Sequence, residues 1–204
     1  MSQPKLLIAT HNSGKVREYR DLLADLPLDV TYLDAEGIEL AVEETGSTFK
    51  ENALLKARTY ALAAGILTWA DDSGLEVDAL GGEPGVRSAR YGAPAAVSDE
   101  DRYRLLLKQL RQIPESGRTA RFRCVVAIAT PQGQVLYTNG TCEGRIAPSP
   151  RGSHGFGYDP IFLVAETDYQ QTMAELSPST KNQISHRARA ARQAKKMLAG
   201  LMGV

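Results

Sequence analysis

Two hydrophobic periods alternate along this chain. Short apolar runs between turn residues read as strands, and apolar positions three or four apart read as helices. Lys5 to Thr10 reads as a short buried strand. Lys15 to Leu26 follows as a helix with Val16, Tyr19, Leu22, Leu23 and Leu26 on one face, stopped by Pro27. Asp29 to Asp34 is a second strand. Thr48-Phe49-Lys50-Glu51 has the S/T-x-x-E form of a capping box and opens a helix through Ala64, which Gly65 ends. The apolar run Ile66 to Ala70 predicts a strand that delivers Asp71 and Asp72 at its C-terminal end. Gly74 to Pro94 reads as an ordered loop. Ser98 caps a helix through Gln112, with Asp99, Glu100 and Asp101 in the first turn, where the helix dipole favours acids. Ala120 to Thr130 and Gln134 to Glu143 form a hairpin around Pro131-Gln132-Gly133. Arg145 to Pro160 is a second Gly/Pro-rich loop, Ile161 to Val164 a short strand, and Asn182 to Met202 the final helix, with Ile184, Ala188, Ala191 and Leu198 inward. Strands alternating with helices, plus one hairpin, predict an α/β fold with a mixed sheet.

Composition narrows the function classes. The chain has 204 residues, 43% of them apolar, enough for a substantial core. Lys plus Arg equals Asp plus Glu at 24 each, so the basic excess expected of a nucleic-acid binder is absent. The longest apolar stretch, Tyr60 to Ala70, is shorter than the roughly 20 residues of a bilayer span, and the run within Met1 to Ala9 is too short for a signal peptide. Cys124 and Cys142 make no disulfide framework and no zinc spacing, which fits a reducing cytoplasm. The charge is divided along the chain. Residues 1–102 hold 18 acids and 10 bases, a net of −8, and residues 103–204 hold 6 acids and 14 bases, a net of +8. One half could supply metal-binding carboxylates and the other cations for an anionic substrate, or the basic half could simply carry a solvated C-terminal helix.

Four segments carry candidate chemistry. Thr10-His11-Asn12-Ser13-Gly14-Lys15 joins a strand to a helix, a turn that aims backbone N–H groups and the positive helix end at one spot, as a phosphate requires. It is not a Walker A loop, and a capped turn with an exposed lysine is the plainer reading. Asp71-Asp72-Ser73-Gly74 offers hard oxygen ligands suited to Mg²⁺, with Glu43-Glu44-Thr45-Gly46 as a further acidic turn. Neighbouring strand residues point to opposite faces, so only one of the two aspartates should serve a common site. Gly155-Phe156-Gly157-Tyr158-Asp159-Pro160 sets an aromatic between glycines. Phe156 could stack on a base, or it could pack into the core. Ser185-His186-Arg187, at the start of the last helix, could donate hydrogen bonds to base carbonyls, or could be an exposed polar helix start. The basic run Arg189, Arg192, Lys195 and Lys196 reads as a solvated face. Zinc-ligand spacing and a G-x-S-x-G motif are both absent, and Cys124 in its apolar run reads as packing.

Taken in order, these segments resemble the inosine triphosphate pyrophosphatase family nearly end to end. The motifs are T-x-N-x-x-K at Thr10, Asn12 and Lys15, E-E-T-G at Glu43 to Gly46, T-F-x-E-N-A at Thr48 to Ala53, and A-D-D-S-G at Ala70 to Gly74. They continue with G-x-x-S-A-R-Y at Gly85 to Tyr91, F-G-Y-D-P-I-F at Phe156 to Phe162, and S-H-R at Ser185 to Arg187. The resemblance implies a single pyrophosphatase domain over residues 1–204. It also implies a long mixed sheet with two α/β lobes flanking a central nucleotide-binding cleft, and a homodimer. The implied activity is Mg²⁺-dependent cleavage of ITP, dITP or XTP between the α- and β-phosphates. By the same resemblance, Thr10, His11, Asn12, Ser13, Gly14 and Lys15 hold the phosphates, assisted by Ser73. Glu43 and Asp72 bind the metal, and Asp72 acts as base toward water. Phe156, Gly157, Tyr158, Asp159, Lys181, His186 and Arg187 bind the nucleotide, chiefly at the base. Lys56 and Arg90 match further basic positions near the phosphates. His11 departs from the family, which often carries Gly after the leading Thr or Ser. Competing readings are a pyrophosphatase of the septum-inhibitor type acting on dTTP or UTP, a nucleotide sensor without catalysis, and an RNA-binding protein using the basic C-terminal helix.

Overall fold

A computed structural model describes residues 3–202; Met1 and Ser2, where the N-terminal reading begins, and Gly203 and Val204, where the 1–204 domain ends, lie outside them. The described residues form six strands and five helices, alternating as far as α3: β1 (Lys5–Ile8), α1 (Ser13–Leu22), β2 (Asp29–Tyr32), α2 (Phe49–Ala64), β3 (Leu67–Val77), α3 (Asp99–Gln109), β4 (Thr119–Ala129), β5 (Val135–Ile146), β6 (Phe162–Val164), α4 (Pro178–Ile184) and α5 (His186–Met202). The strand order is β2-β1-β3-β4-β5-β6. β1 pairs in parallel with β2 and with β3, whereas β5 and β6 run antiparallel, which makes the sheet mixed, as expected.

Most elements begin where local chemistry says they should. In α2 the Thr48 hydroxyl accepts the Glu51 N–H at 3.1 Å while Glu51 accepts the Thr48 N–H at 3.1 Å, and Gly65 ends the helix with a left-handed φ of 66°. Three expectations are corrected. First, α1 stops at Leu22 rather than Leu26, because Pro27 biases Leu26 away from the helical region and the chain loosens into turns before it. Second, β3 does not end at Ala70. It continues through Asp71-Asp72-Ser73-Gly74 to Val77, because Leu75 and Val77 restore a period of two and bury completely. Third, the last helix is two. Ser177 caps α4, whose first residue is Pro178, and extended Ser185 (ψ 156°) separates α4 from α5.

The described residues divide into two units. The first comprises residues 1–72, 124–140 and 187–204, less the four outside the described range, and the second comprises residues 73–123 and 141–186. Within the first unit, one core joins Leu6, Ile8, Trp69, Cys124 and Val126 to Tyr19 and Leu23 of the α1 segment and to Ala190, Ala191 and Ala194 of α5. A second core joins Leu7, Ala70, Ala127 and Ala129 to Ala53, Ala57, Tyr60 and Ala61 of α2. Strand alternation explains the split, since Trp69 and Ala70 are neighbours on opposite faces. The second unit packs Leu75, Val77, Leu106, Leu110, Phe122, Ile146, Phe162 and Met173 together.

A polar clamp closes the exposed end of β3 in the second unit. Arg121 donates to both oxygens of Asp78, at 2.8 and 2.9 Å, and Thr119 donates to the same carboxylate at 2.6 Å. These bonds to Arg121 and Thr119 hold the Asp78 carboxyl below its ordinary value. A depressed carboxyl stabilises the fold at pH values above its unfolded pKa of about 3.9, and that contribution is lost as pH falls through the folded value. Wild type should therefore exceed Asp78→Asn in urea midpoint at neutral pH, with the gap closing as the medium is acidified below about pH 4. A gap that does not change with pH would contradict the clamp.

Candidate active site

The alternation that divides the core also divides the two aspartates of β3. Asp71 shares the Trp69 face, toward α1 and α5, and is 2% exposed. Its Oδ2 lies 2.9 Å from Lys15 Nζ and 3.7 Å from Arg187 Nε. Arg187 Nη1 in turn donates to Glu18 at 2.5 Å. Burial works to raise the Asp71 pKa, but Lys15, Arg187 and Lys56 outweigh it and hold the carboxyl well below the usual range. Burial likewise opposes the charge on Arg187, and Glu18 and Asp71 overcome it. Asp71, Lys15, Glu18 and Arg187 therefore form a buried ionic cluster of alternating sign.

Asp72 faces α2 on the opposite side of the sheet. Its Oδ2 accepts the Asn52 amide at 3.0 Å, and Lys56 Nζ lies 3.8 Å from its Oδ1. Here burial wins over Lys56 and Lys15, and the Asp72 pKa is raised. Lys56 also donates to Glu44 at 2.5 Å, so the Glu43-Glu44-Thr45-Gly46 turn reaches this cluster through Glu44. Burial disfavours the Lys56 ammonium, but Asp72, Asp71 and Glu44 raise its pKa above the ordinary lysine value. Asn52, wholly buried, ties the two pieces together: its Oδ1 accepts the Gly46 N–H at 2.7 Å while its amide serves Asp72. A Cβ on Gly46 would stand 2.6 Å from Asn52 Oδ1, so this turn requires glycine. Glu43, expected as a metal ligand, is exposed, and its side chain has no hydrogen-bond or ion-pair partner among the described residues.

The phosphate-type turn forms as the spacing predicts, with α1 starting two residues earlier, at Ser13. Asn12 is the N-cap, and its side chain accepts the Lys15 N–H at 3.0 Å. Thr10 accepts the Asn12 N–H at 3.1 Å, Ser13 is exposed and Gly14 buried. His11 points outward against Asp34, with Nδ1 3.0 Å from the carboxylate. Arg90 is exposed on a 3-10 turn over Gly85–Arg90. Cys124 packs as expected. Burial, then Asp71, pushes its thiol up to about 12, leaving no thiolate for nucleophilic chemistry.

In the second unit the Phe156 loop is fixed by its own side chains. Asp159, 3% exposed, accepts the Phe156 N–H at 2.9 Å, and Lys181 donates to the same oxygen at 2.5 Å. Lys181 Nζ also sits 5.1 Å from the centre of the half-buried Phe156 ring. Tyr158 donates to the Ser88 carbonyl at 2.9 Å, and its phenol is held well above the ordinary value by burial. Gly155 takes a left-handed φ of 79°, and any Cβ there would collide with the Asp159 carboxylate. His186 is buried and stacks on Phe122, with ring centroids 4.7 Å apart. The start of α5 is therefore buried rather than exposed. Ser73 is half-buried on β3.

Sequence reasoning gave no positioning role to four residues that organise these groups. Glu18 and Asp71 position Arg187 and Lys15, Glu44 positions Lys56, and Asn52 positions Asp72. Asn52, Asp71 and Glu44 do stand inside recognised motifs, and Asp71 and Glu44 read there as candidate metal ligands, so the signal was present without this role. Glu18 carried none, because its partner is 169 positions away.

The fold and the site together define a mixed α/β protein with a cation-lined carboxylate centre beside a capped phosphate-type turn. The sequence pattern of the Ham1 family matches residues 6–197, and the chain belongs to that family. It is 51% identical over 190 residues to a dITP/XTP pyrophosphatase of Symbiobacterium thermophilum, covering 93% of this chain and 92% of that one. It is 47% identical to the dITP/XTP pyrophosphatase of Bacillus subtilis, covering 94% and 96%. Among solved structures, a HAM1 protein from Coxiella burnetii superposes with a TM-score of 0.85 at 41% identity, covering 97% of this chain and 99% of that one. No described helix is long and apolar enough to cross a membrane.

Removing Asn52 should expose how tightly the carboxylate centre is built. Asn52→Ala leaves the Gly46 N–H and Asp72 short of a partner, and urea titration should show a loss of about 1–3 kcal/mol per group left unsatisfied. A loss below about 0.5 kcal/mol, the scale of an ordinary surface change, would contradict the role given to Asn52.

Proposed function

We propose that this chain hydrolyses dITP and XTP, and ITP with them, to the nucleoside monophosphate and pyrophosphate. The observation that carries the reading is the Asp72 centre. A buried carboxyl, its pKa raised by burial and its orientation fixed by Asn52 and Lys56, stands on the strand beside the capped turn of a chain whose relatives bear the name dITP/XTP pyrophosphatase. A pure phosphate sensor would gain nothing from added negative charge. The two units work, on this reading, as one pyrophosphatase domain spanning residues 1–204.

Thr10, His11, Asn12, Ser13, Gly14 and Lys15 take the triphosphate, with Ser73 assisting. Backbone N–H groups at the start of α1 and the Lys15 ammonium offset charge on the phosphate oxygens as it develops. Asp72 orients the attacking water and accepts its proton, with Asn52 fixing the carboxylate that does so. Hard carboxylate oxygens on Asp72 and on exposed Glu43 suit Mg²⁺, with water and substrate phosphate completing its ligands. A Mg²⁺ ion held by Asp72 and Glu43 would supply positive charge to offset that of the pyrophosphate leaving group.

Phe156 stacks on the base, and Gly157, Tyr158 and Asp159 shape its loop. Lys181, His186 and Arg187 supply or orient donors for base carbonyls. A 6-keto purine accepts hydrogen bonds where adenine donates them, so donors placed there leave adenine mismatched, and such sites discriminate by roughly 10⁴-fold. The enzyme works as a cytoplasmic homodimer on free nucleotides, without stable nucleic-acid or membrane partners.

The test is a product assay with Mg²⁺ and XTP, dITP, ITP, ATP, GTP or dTTP, resolved by ion-exchange chromatography. Monophosphate plus pyrophosphate should form from the first three, with ATP and GTP nearly untouched. Turnover of dTTP instead would move the chain to the pyrimidine-directed reading, and intact binding without turnover would make it a sensor.

A further inference from the structure

The three acids that open α3 have separate jobs. Asp101 closes the capping box, accepting the Ser98 N–H at 2.9 Å while Ser98 Oγ accepts the Asp101 N–H at 3.0 Å. Glu100 pairs with Arg104 on the exposed face of the same helix, at 2.6 Å. Asp99 does neither. Its Oδ1 is fixed by Arg102 Nη2 at 2.6 Å, and its Oδ2 accepts the Gly157 N–H at 2.7 Å, across 58 residues of sequence. A carboxylate accepting a backbone N–H at this length makes one of the stronger hydrogen bonds available to a protein. Arg102 is itself anchored by donating to the Val97 carbonyl at 3.3 Å, so Asp99 is held on one side and holds on the other.

The held residue follows Phe156 directly. The loop is thus pinned on three successive residues: Asp159 accepts the Phe156 N–H, Asp99 accepts the Gly157 N–H, and Ser88 accepts the Tyr158 hydroxyl. Gly157 takes a left-handed φ of 63°, a conformation that Gly adopts without steric cost but that nothing in Gly itself enforces. Asp159 and Ser88 belong to the loop and to the neighbouring G-x-x-S-A-R-Y motif. Asp99 comes from an unrelated helix and is the pin that ties the tip of the loop to it.

We propose that Asp99 is a positioning residue for nucleotide-base binding, fixing the Phe156 ring through the Gly157 N–H. The inference rests on the proposed function in taking Phe156 as the base platform. Its own content is that α3, through one carboxylate, sets how well that platform is organised before substrate arrives. Asp99 touches neither phosphate nor water in this assignment, so its loss should act on binding and leave the chemical step alone.

The experiment compares wild type, Asp99→Ala and Glu100→Ala in the full chain. Glu100→Ala removes a first-turn acid with the same relation to the helix dipole but no bond to the loop. Asp99→Ala should raise KM for XTP roughly tenfold, the scale for one hydrogen bond to a charged group, with kcat within about twofold of wild type. Glu100→Ala should leave both near wild type. Without nucleotide, amide exchange across residues 155–158 should quicken in Asp99→Ala and not in Glu100→Ala. An Asp99→Ala enzyme matching Glu100→Ala in KM, or losing kcat as strongly as it gains KM, would overturn the inference. So would unchanged loop exchange, whatever the kinetics. A wild-type chain that turns over none of the nucleotides would instead overturn the proposed function, and the base-platform role with it.

Discussion

The period of two along β3 is the constraint on which the site depends. Adjacent side chains of a strand point to opposite faces, so Asp71 and Asp72 meet different surroundings although they are chain neighbours. Asp71 enters a surround of cations from α1 and α5 and stays ionised. Asp72 enters the α2 side, where burial outweighs Lys56, Lys15 and the Asn52 amide and leaves its carboxyl raised. One strand thereby carries one carboxylate held ionised by cations and one whose charge burial disfavours. Two adjacent carboxylates facing the same way would repel each other and compete for one set of partners.

The helices follow from that arrangement. α1 must start where Lys15 can reach Asp71, and Asn12 caps it there. α5 must start at His186, because Arg187 then meets both Asp71 and Glu18. The break at Ser185 makes this possible, since a continuous helix from Asn182 would give the residues around Ser185 a different path. α2 carries Asn52 and Lys56 four residues apart, on one face, so both arrive at Asp72 together. In the second unit the same economy of short contacts fixes the loop around Phe156, with buried Asp159 and Lys181 as its centre.

Much of this was legible in the sequence. The capping box at Thr48, the glycine stop at Gly65 and the β-turn-α unit around Asn12 are local signals, and each formed as read. The split of Asp71 from Asp72 was also predicted by strand alternation alone. What stayed hidden was non-local. Glu18 and Asp99 sit on ordinary polar helix faces, and only the fold brings them to Arg187 and Gly157. The extension of β3 beyond Asp72 was obscured by Ser73-Gly74, which read as punctuation although Leu75 and Val77 bury completely on the far side. The helix break at Ser185 was missed because apolar periodicity from Ile184 onward runs through it. The family motifs gave no warning that Lys181, His186 and Arg187 would be buried and engaged with the protein itself.

β3 separates a carboxylate held by cations, Asp71, from one whose charge burial disfavours, Asp72, and urea unfolding of Asp71→Asn and Asp72→Asn, with metal chelated at neutral pH, tests this most directly. Asp71→Asn removes the anion between Lys15 and Arg187, and breaking such a buried cluster should cost about 3–5 kcal/mol. Asp72→Asn removes a charge that burial already disfavours, so its stability should stay within about 1 kcal/mol of wild type. Equal losses in the two variants, or a larger loss at Asp72, would contradict the division of labour along the strand.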